Sequence, residues 1–528
     1  MMYVIGSGPA GIACASALLE KGREVTMLDA GVELEPDNRR KVEHLASTDP
    51  ARWTPEDVRF MKSSVSINTR KIPVKKVYGS DFPYLPLPEF LSEGSRHLDI
   101  FPSFARGGLS NVWGAAVLPH REEDIRDWPV RIRDLEPHYR AVLGFVPLAA
   151  AQDDLAALYP LYAQNPGTLR LGRGTGAFLQ HLEIHKDSLR GHGILFGRSR
   201  LAVKGETKEY GGGCVHCGLC LYGCPLQCIY CSSDTLREWT KSPRFTYRGN
   251  TVVTRVQETG DRVAIEGKDR LTGEKLSFSG TRVFLAAGIL PTTHILLDSL
   301  KIYNQPLKIR YSQYFNVPLI RFRGEPDDLS EATNTLAQVF VELLDPVLTP
   351  ETIHLQIYGY NDLYGKAMEN SLAGPLFKLF PPLKEAVLRK LLIIQGYLHS
   401  RHSGFIELTL RNKGTESVLK LVPRENASSR RIIRRVMSKL WKHKELLGAF
   451  PLTPWLKIGP LGMGAHNTGT FPMSAAPGPL ESDRWGRPAG LRRVHAVDAS
   501  VLPSAPASTI TLTVMANAHR IGYHDEAD

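Results

Sequence analysis

The chain of 528 residues is 42% hydrophobic and 23% charged, which excludes collagen-like sequence and long-range disorder and supplies a large core for several folding units. Lysine and arginine exceed aspartate and glutamate by a net +11, a mild excess at this length that reads mostly as solvated surface. No apolar run reaches the ~18 residues that a membrane-spanning helix requires. The strand-like start MMYVIG leaves no room for a signal peptide, so a cytoplasmic location is expected.

The first predicted unit is a strand over 3–5 that runs into Gly6-Ser7-Gly8-Pro9-Ala10-Gly11. A helix with Ile12, Ala15, Leu18 and Leu19 on one face follows, and then a strand over 24–28 that ends at Asp29. The three glycines meet different needs. Gly6 allows the tight turn, Gly8 lets the backbone approach a pyrophosphate, and Gly11 permits close helix–strand contact. Free N–H groups at the helix start favour phosphates. Asp29 is placed to accept from a ribose 2′-hydroxyl and would repel a 2′-phosphate, which argues against NADP. A lone GxGxxG is weak; strand, helix and closing acid together make a dinucleotide site. The competing reading is a glycine-rich turn of some other α/β fold.

Beyond a helix predicted over 132–143, six of the seven cysteines crowd into eighteen residues: Cys214, Cys217, Cys220, Cys224, Cys228 and Cys231. The first four spell C-x2-C-x2-C-x3-C-P, the bacterial ferredoxin run for a [4Fe–4S] cluster. Structural zinc and a metal-free loop are the competing readings; disulfides are disfavoured in a cytoplasmic chain. Cys14, in the first helix, reads as a packing residue.

Residues 282–299 read as a buried strand, a turn at Ala286-Ala287-Gly288 and a helix, the shape of a strand returning to the nucleotide sheet. From about 305 to 425 the pattern turns to strands, at 317–322, 353–358 and 404–410. An apolar insert at 376–398 reads as core or lid, or as a hydrophobic channel or membrane-facing lid. Residues 428–444 carry Arg430, Arg431, Arg434, Arg435, Lys439, Lys442 and Lys444 around a helical stripe of Ile432, Ile433, Val436, Met437, Leu440 and Trp441. The plain reading is an exposed helix on its own domain; attachment to an anionic membrane is the functional one. Nucleic acid is disfavoured, because no stacking platform or base-reading module is visible. The tail offers another strand closing on an acid, 494–500, and a helix over 511–521.

Four ordered motifs make the chain resemble the glucose–methanol–choline (GMC) oxidoreductase family from residue 2 to about 523. They are the Gly6/Gly8/Gly11 turn with Asp29; Gly107-Gly108-Leu109-Ser110-Asn111-Val112-Trp113, followed by Asp124 to Trp128-Pro129; the return at Ala286-Ala287-Gly288; and His466-Asn467-Thr468-Gly469-Thr470-Phe471-Pro472-Met473 with Val497-Asp498-Ala499-Ser500-Val501-Leu502-Pro503. The resemblance implies an α/β fold: a Rossmann-type FAD-binding domain assembled from both chain ends, and an α+β substrate domain on an antiparallel sheet. Its implied division is 1–130 with the flavin loop, 131–205 helical and substrate-side, and 206–235 the cysteine loop. The second FAD part is then 236–304, the substrate domain 305–458, and the catalytic tail with the third FAD part 459–528.

The resemblance also implies the site. Gly6, Gly8, Gly11, Asp29, Gly107, Gly108, Ser110, Asn111, Val112, Val253, Ala287, Gly288, Asp498 and Ala499 are expected to hold FAD. His466 is expected to take the hydroxyl proton of an alcohol, because a histidine with a pKa of ~6.5 can do so near neutral pH. The family's second active-site position, usually His or Asn, falls on Thr509, which can donate one hydrogen bond but cannot become a cation; Thr511 or Ser508 could take that part instead. Members that hold FAD covalently place a histidine where this chain has Val112, so noncovalent FAD is expected.

The expected activity is an FAD-dependent alcohol dehydrogenase that passes electrons on through a cluster held by Cys214, Cys217, Cys220, Cys224, Cys228 and Cys231. An O2-reducing oxidase with a structural or empty cysteine loop is the alternative, and a zinc-stapled basic binding protein without turnover a more distant one. The expected partners are a small-molecule alcohol (a sugar, a sterol or terpenoid, or a long-chain alcohol) and an electron acceptor. Peripheral contact at the inner membrane surface goes with the basic helix.

Overall fold

The computed structural model describes all residues except 64, 65, 68–72, 91, 95–97, 207–212, 364–373, 415 and 525–528. The opening of the expected cysteine-loop segment, 207–212, thus lies outside the described residues.

Three distant parts of the chain build one parallel sheet. Its order is Val494–Ala496, Arg282–Leu285, Met2–Ile5, Val25–Leu28, Phe245–Arg248, and every neighbouring pair is parallel. The four residues of each of the three central strands are buried, as expected when helices cover both faces. One layer is the helix Pro9–Glu20 packed on the C-terminal helix Thr511–Tyr523. Gly522 makes that contact close, since a Cβ there would lie 2.8 Å from the Cys14 carbonyl oxygen. A three-stranded antiparallel sheet over 251–280, which the sequence pattern did not announce, follows strand Phe245–Arg248.

The second large sheet is antiparallel at every pairing. In order it holds Ala449–Pro451, Gln313–Arg321, Leu391–Leu398, Ile353–Tyr358, Val339–Leu343 and Ile194–Arg198, with Lys457–Ile458 added beside Gln313–Arg321. Period-two alternation divides its faces. Phe315, Val317, Leu355, Ile357, Leu392 and Ile394 share one core. That core is closed by the helix Ala427–Lys442 through Ile432, Ile433, Val436, Met437 and Leu440. The basic helix therefore lies on its own domain, with Arg430, Arg431, Arg434 and Arg435 exposed.

Two expectations change. The strand predicted at 404–410 runs as Phe405–Lys413 and belongs to a different sheet, between Leu307–Tyr311 and Glu416–Arg424. The apolar insert 376–398 is two kinds of structure: short helices Gly374–Leu379 and Pro381–Leu388, then the central strand Leu391–Leu398. Its last third is thus core, because a run buried on both faces of a sheet is as apolar as a lid. Among the described residues no helix is long and apolar enough to cross a membrane.

Candidate active site

A cavity of about 490 Å³ runs between the parallel sheet and the antiparallel one. Its first wall is the turn after strand Met2–Ile5. Gly6 has φ +104°, and a Cβ there would sit 2.6 Å from the Ala286 carbonyl oxygen; one on Gly11 would sit 2.0 Å from the Gly6 oxygen. A Cβ on Gly8 would meet only the Gly108 Cα, at 4.0 Å, so the backbone is bare toward the cavity. The turn and the loop at 107–113 are sewn together: the Gly107 N–H donates to Ser7 Oγ over 2.9 Å, and that hydroxyl donates to Asp29 Oδ2 over 2.6 Å. Tyr247 Oη also donates to Asp29, and burial pushes the Asp29 carboxyl above its ordinary value.

Three helices begin at this cavity with no side chain capping their first turns: Pro9–Glu20, Ile289–Ser299 and Thr511–Tyr523. Uncapped N–H groups and the positive ends of helices attract anions. The Asp498 carboxylate fixes the second helix start by accepting from the Gly288 N–H (2.9 Å), Thr292 Oγ1 (2.6 Å) and the Ser500 N–H (2.9 Å). It thereby locks the central return to the tail. An elongated dinucleotide fits these features: bare glycine backbone and helix starts for its phosphates, a buried carboxylate at the end of the second strand for a ribose diol, and a wall closing on Val112, Val253, Ala287 and Ala499.

Thirteen expected site residues line this one cavity: Gly6, Gly8, Asp29, Gly108, Ser110, Val112, Val253, Ala287, Gly288, His466, Asp498, Ala499 and Thr509. Gly11, Gly107 and Asn111 do not. The Asn111 amide donates to the Arg106 and Gly108 carbonyls, so it shapes the loop from within. Ser110 Oγ likewise bonds the Gly107 carbonyl and accepts from the Ser232 N–H.

The far wall carries the chemistry. His466 Nδ1 and Thr509 Oγ1 are buried and have no hydrogen-bond partner among the described residues. A buried polar atom without a partner is costly, which marks both as awaiting a ligand atom or a water. Burial lowers the His466 imidazole to about 3, with His354 adding to the effect; the exposure its ring retains is to the cavity. Ser508 is engaged with His120 Nδ1 at 3.0 Å, and Thr511 sits at a helix start.

Sequence reasoning missed a polar wall on the antiparallel sheet: Tyr314 and Asn316, Gln356 and Tyr358, Gln395 and Tyr397. Behind it His354 Nδ1 meets Glu342 Oε1 at 2.6 Å, both fully buried. The signal was present, since these polar residues recur at every second position of otherwise apolar strands. Lys75 was missed too. It lines the cavity, donates to the Trp113 carbonyl over 2.7 Å, and burial lowers its ammonium to about 8.

The structure gives the expected cluster no support. Among the described residues no group of three or more His, Cys, Asp or Glu side chains is arranged to hold a metal ion. Cys231 stands apart from the other five: its sulfur accepts from Ser233 Oγ at 3.1 Å and lies 3.4 Å from Ser110 Oγ, under the loop at 107–113. Cys214, Cys217, Cys220, Cys224 and Cys228 do line one chamber, with Leu169, Val203 and Ile229, but its volume is only about 20 Å³. That is room for about one water molecule, so the five thiols stand closely packed. Burial raises the Cys214 thiol to about 12 and Cys217 to about 11, whereas a hydrogen bond from Cys228 lowers Cys224 to about 6. The local spacing is right for a cluster, and the rest of the chamber around the five thiols is mostly apolar.

The glycine turn, the three helix starts and the histidine wall together shape a cavity suited to a dinucleotide. Residues 458–518 match the family described as GMC oxidoreductase, the stretch that contains His466, Asp498 and Thr509. The fold is similar to that of pyridoxine 4-oxidase from Mesorbium loti, with 14% identity, 100% of this chain and 99% of that one covered, and a TM-score of 0.64. It is also similar to formate oxidase, with 14% identity, 99% and 97% covered and a TM-score of 0.59. A formate oxidase variant from Aspergillus oryzae gives 12% identity, the same coverage and a TM-score of 0.58. No curated protein sequence matches the chain. The chain thus carries the C-terminal signature of GMC oxidoreductases over residues 458–518, within a fold similar to that of these oxidases.

Proposed function

We propose that the chain oxidises an alcohol to a carbonyl with noncovalent FAD, His466 accepting the hydroxyl proton on a ring nitrogen and Thr509 Oγ1 donating to the substrate oxygen. One observation carries this reading: two buried polar atoms, His466 Nδ1 and Thr509 Oγ1, lack partners on the wall of the same cavity that starts at the glycine turn. Bound there, FAD supplies the two-electron acceptor for the hydride of the carbinol carbon. A C–H bond releases hydride readily only when the hydroxyl proton is leaving, and a neutral imidazole is the group that can take it. Burial keeps His466 neutral near pH 7.

Val112, a buried residue of the cavity wall, has no nucleophilic atom, which supports noncovalent binding. The polar sheet wall of Asn316, Gln356 and Gln395 supports orienting contacts to the substrate. Ile100, Phe101, Trp113 and Leu336 supply apolar surface, which favours an alcohol with a sizeable apolar body. The dehydrogenase and oxidase forms of the reaction use the same two side chains, and no electron step is routed through the cysteine loop.

Anaerobic addition of a panel of sugar, sterol and long-chain alcohols to the flavin-loaded chain tests the proposal. Bleaching of the flavin band by one class, with carbonyl product in equal amount, is expected. Admission of oxygen then separates the two forms: rapid recovery with peroxide marks an oxidase, slow recovery a dehydrogenase. Folded protein that takes up no flavin, or that no alcohol bleaches, overturns the reading.

A further inference from the structure

The short helices Gly374–Leu379 and Pro381–Leu388 turn only Phe377, Leu388 and part of Val387 inward. Leu376, Leu379, Phe380 and Leu383 are 47%, 71%, 51% and 45% exposed, and Pro381, Pro382 and Ala386 beside them are exposed as well. Isolated exposed leucines are ordinary, but a contiguous apolar projection marks a contact surface.

Strand register brings a second apolar group to the same end of the sheet. Leu391, three residues beyond Leu388, pairs with Ile320, and Ile320 pairs with Phe450, so Phe450 lies two strand spacings, about 10 Å, from Leu391. Trp441, 49% exposed, packs edge-on against Phe450 with ring centroids 5.4 Å apart. Lys444 Nζ stands 4.7 Å over the indole.

The charge here is basic. Lys378 projects from within the apolar helix pair, Lys390 follows it, and Lys442 and Lys444 flank Trp441. The nearby acids Glu385 and Glu445 are each held by an arginine, Arg389 and Arg323, while Glu325 and Asp328 lie on the adjoining turn. Protruding leucine and phenylalanine, a half-exposed tryptophan and a rim of lysines are the chemistry that a bilayer interface selects: apolar side chains for the acyl boundary, an indole for the headgroup level, cations for anionic lipid.

We propose that this end of the antiparallel sheet is a docking face for an anionic lipid bilayer. The same strand ties the face to the cavity: Leu391–Leu398 starts beside the helix pair and carries Gln395, about 13 Å further along, and then Tyr397 on the cavity wall. Binding to lipid reads separately from turnover, so the proposal stands or falls apart from the reaction assigned above.

The test is flotation of the flavin-loaded full chain with vesicles of phosphatidylcholine alone or mixed with phosphatidylglycerol. The chain is expected to float with the mixed vesicles, to float less at high salt, and to float little with phosphatidylcholine alone. The double variant Leu379→Asp, Phe380→Asp should lose at least tenfold in vesicle partition. Lys378→Glu, which keeps the apolar face, should lose about fivefold or more, the effect of about one charge at the surface. Both change exposed side chains, so flavin content and melting temperature serve as folding controls. A wild-type chain that stays lipid-free in both mixtures overturns the proposal. So does an aspartate variant that floats as well as wild type, or a wild-type oligomer that the aspartate variant dissociates, since the face would then be covered by a second copy.

Discussion

The Tyr397 ring lies stacked against the His466 imidazole, with centroids 4.8 Å apart and planes inclined by 29°. The same tyrosine stacks more distantly on His354, 6.1 Å away, which also meets the buried Glu342 carboxylate. The expected base is thus held by its face while its ring nitrogens stay available. Replacing it should remove proton transfer without disturbing the cofactor end of the cavity. His466→Ala is expected to slow flavin reduction by alcohol by ~10²-fold or more in stopped-flow measurement, with flavin content unchanged. An unchanged rate would take His466 out of the mechanism.

Thr509 offers one hydroxyl to the same space. Thr509→Val keeps the shape and deletes the donor, and one neutral hydrogen bond contributes about 1 kcal/mol, a factor of roughly five in rate. Reduction should therefore slow by about that factor at a similar melting temperature. Equal rates for wild type and variant would assign the oxygen contact to another wall residue.

The cofactor turn is sensitive at a different atom. A methyl on Gly11 would lie 2.0 Å from the Gly6 oxygen, a backbone atom with little freedom to retreat. Gly11→Ala should abolish flavin retention and lower soluble yield, although Gly11 does not line the cavity. Stoichiometric flavin in the purified variant would show that helix and strand can separate there.

Acid should destabilise the fold through its buried imidazoles. Burial lowers His120, His138 and His466 to about 3, and His399 and His495 to about 4, against ~6.5 in an unfolded chain. Between those values the unfolded state binds more protons than the native one. The stabilisation is therefore complete above about pH 6.5 and is lost as pH falls through this window. Asp124, raised by burial to about 6, opposes the trend in the same range, as do Asp29 and Asp498 in direction. The five histidines are expected to prevail, so the melting temperature should fall between pH 7 and pH 5. A rise would show that the carboxyls dominate.

Metal analysis addresses the cysteine loop directly. With Cys231 committed to the loop at 107–113 and about 20 Å³ between the other five thiols, protein purified anaerobically should carry flavin without stoichiometric iron. About four irons per chain would show that the loop opens around a cluster.

The parts of the site that could be read from sequence are those encoded by short spacing. The glycine turn with Asp29 and the tail around His466 each carry their geometry within a few residues, and the structure brings them to one cavity. The sheet wall could not be read this way. Tyr397 faces Tyr314 on one side and His354 on the other only through strand register, which links positions scores of residues apart. The cysteine run is divided for the opposite reason: its spacing is local, but Cys231 precedes the helix Ser232–Trp239, which anchors it beside Ser110. Apolar composition alone could not divide 376–398, since a buried central strand and an exposed greasy helix share it.

The parallel sheet has a consequence for biosynthesis. Its outermost strand on one side, Val494–Ala496, and the helix Thr511–Tyr523 at the cavity are made after the glycine turn, the central return and His466. A nascent chain halted after His466 would own its base and most of its substrate wall, yet lack the floor on which the cofactor rests. Loading must therefore await the synthesis of both elements, and a premature stop before residue 494 should yield a colourless protein rather than a weak enzyme.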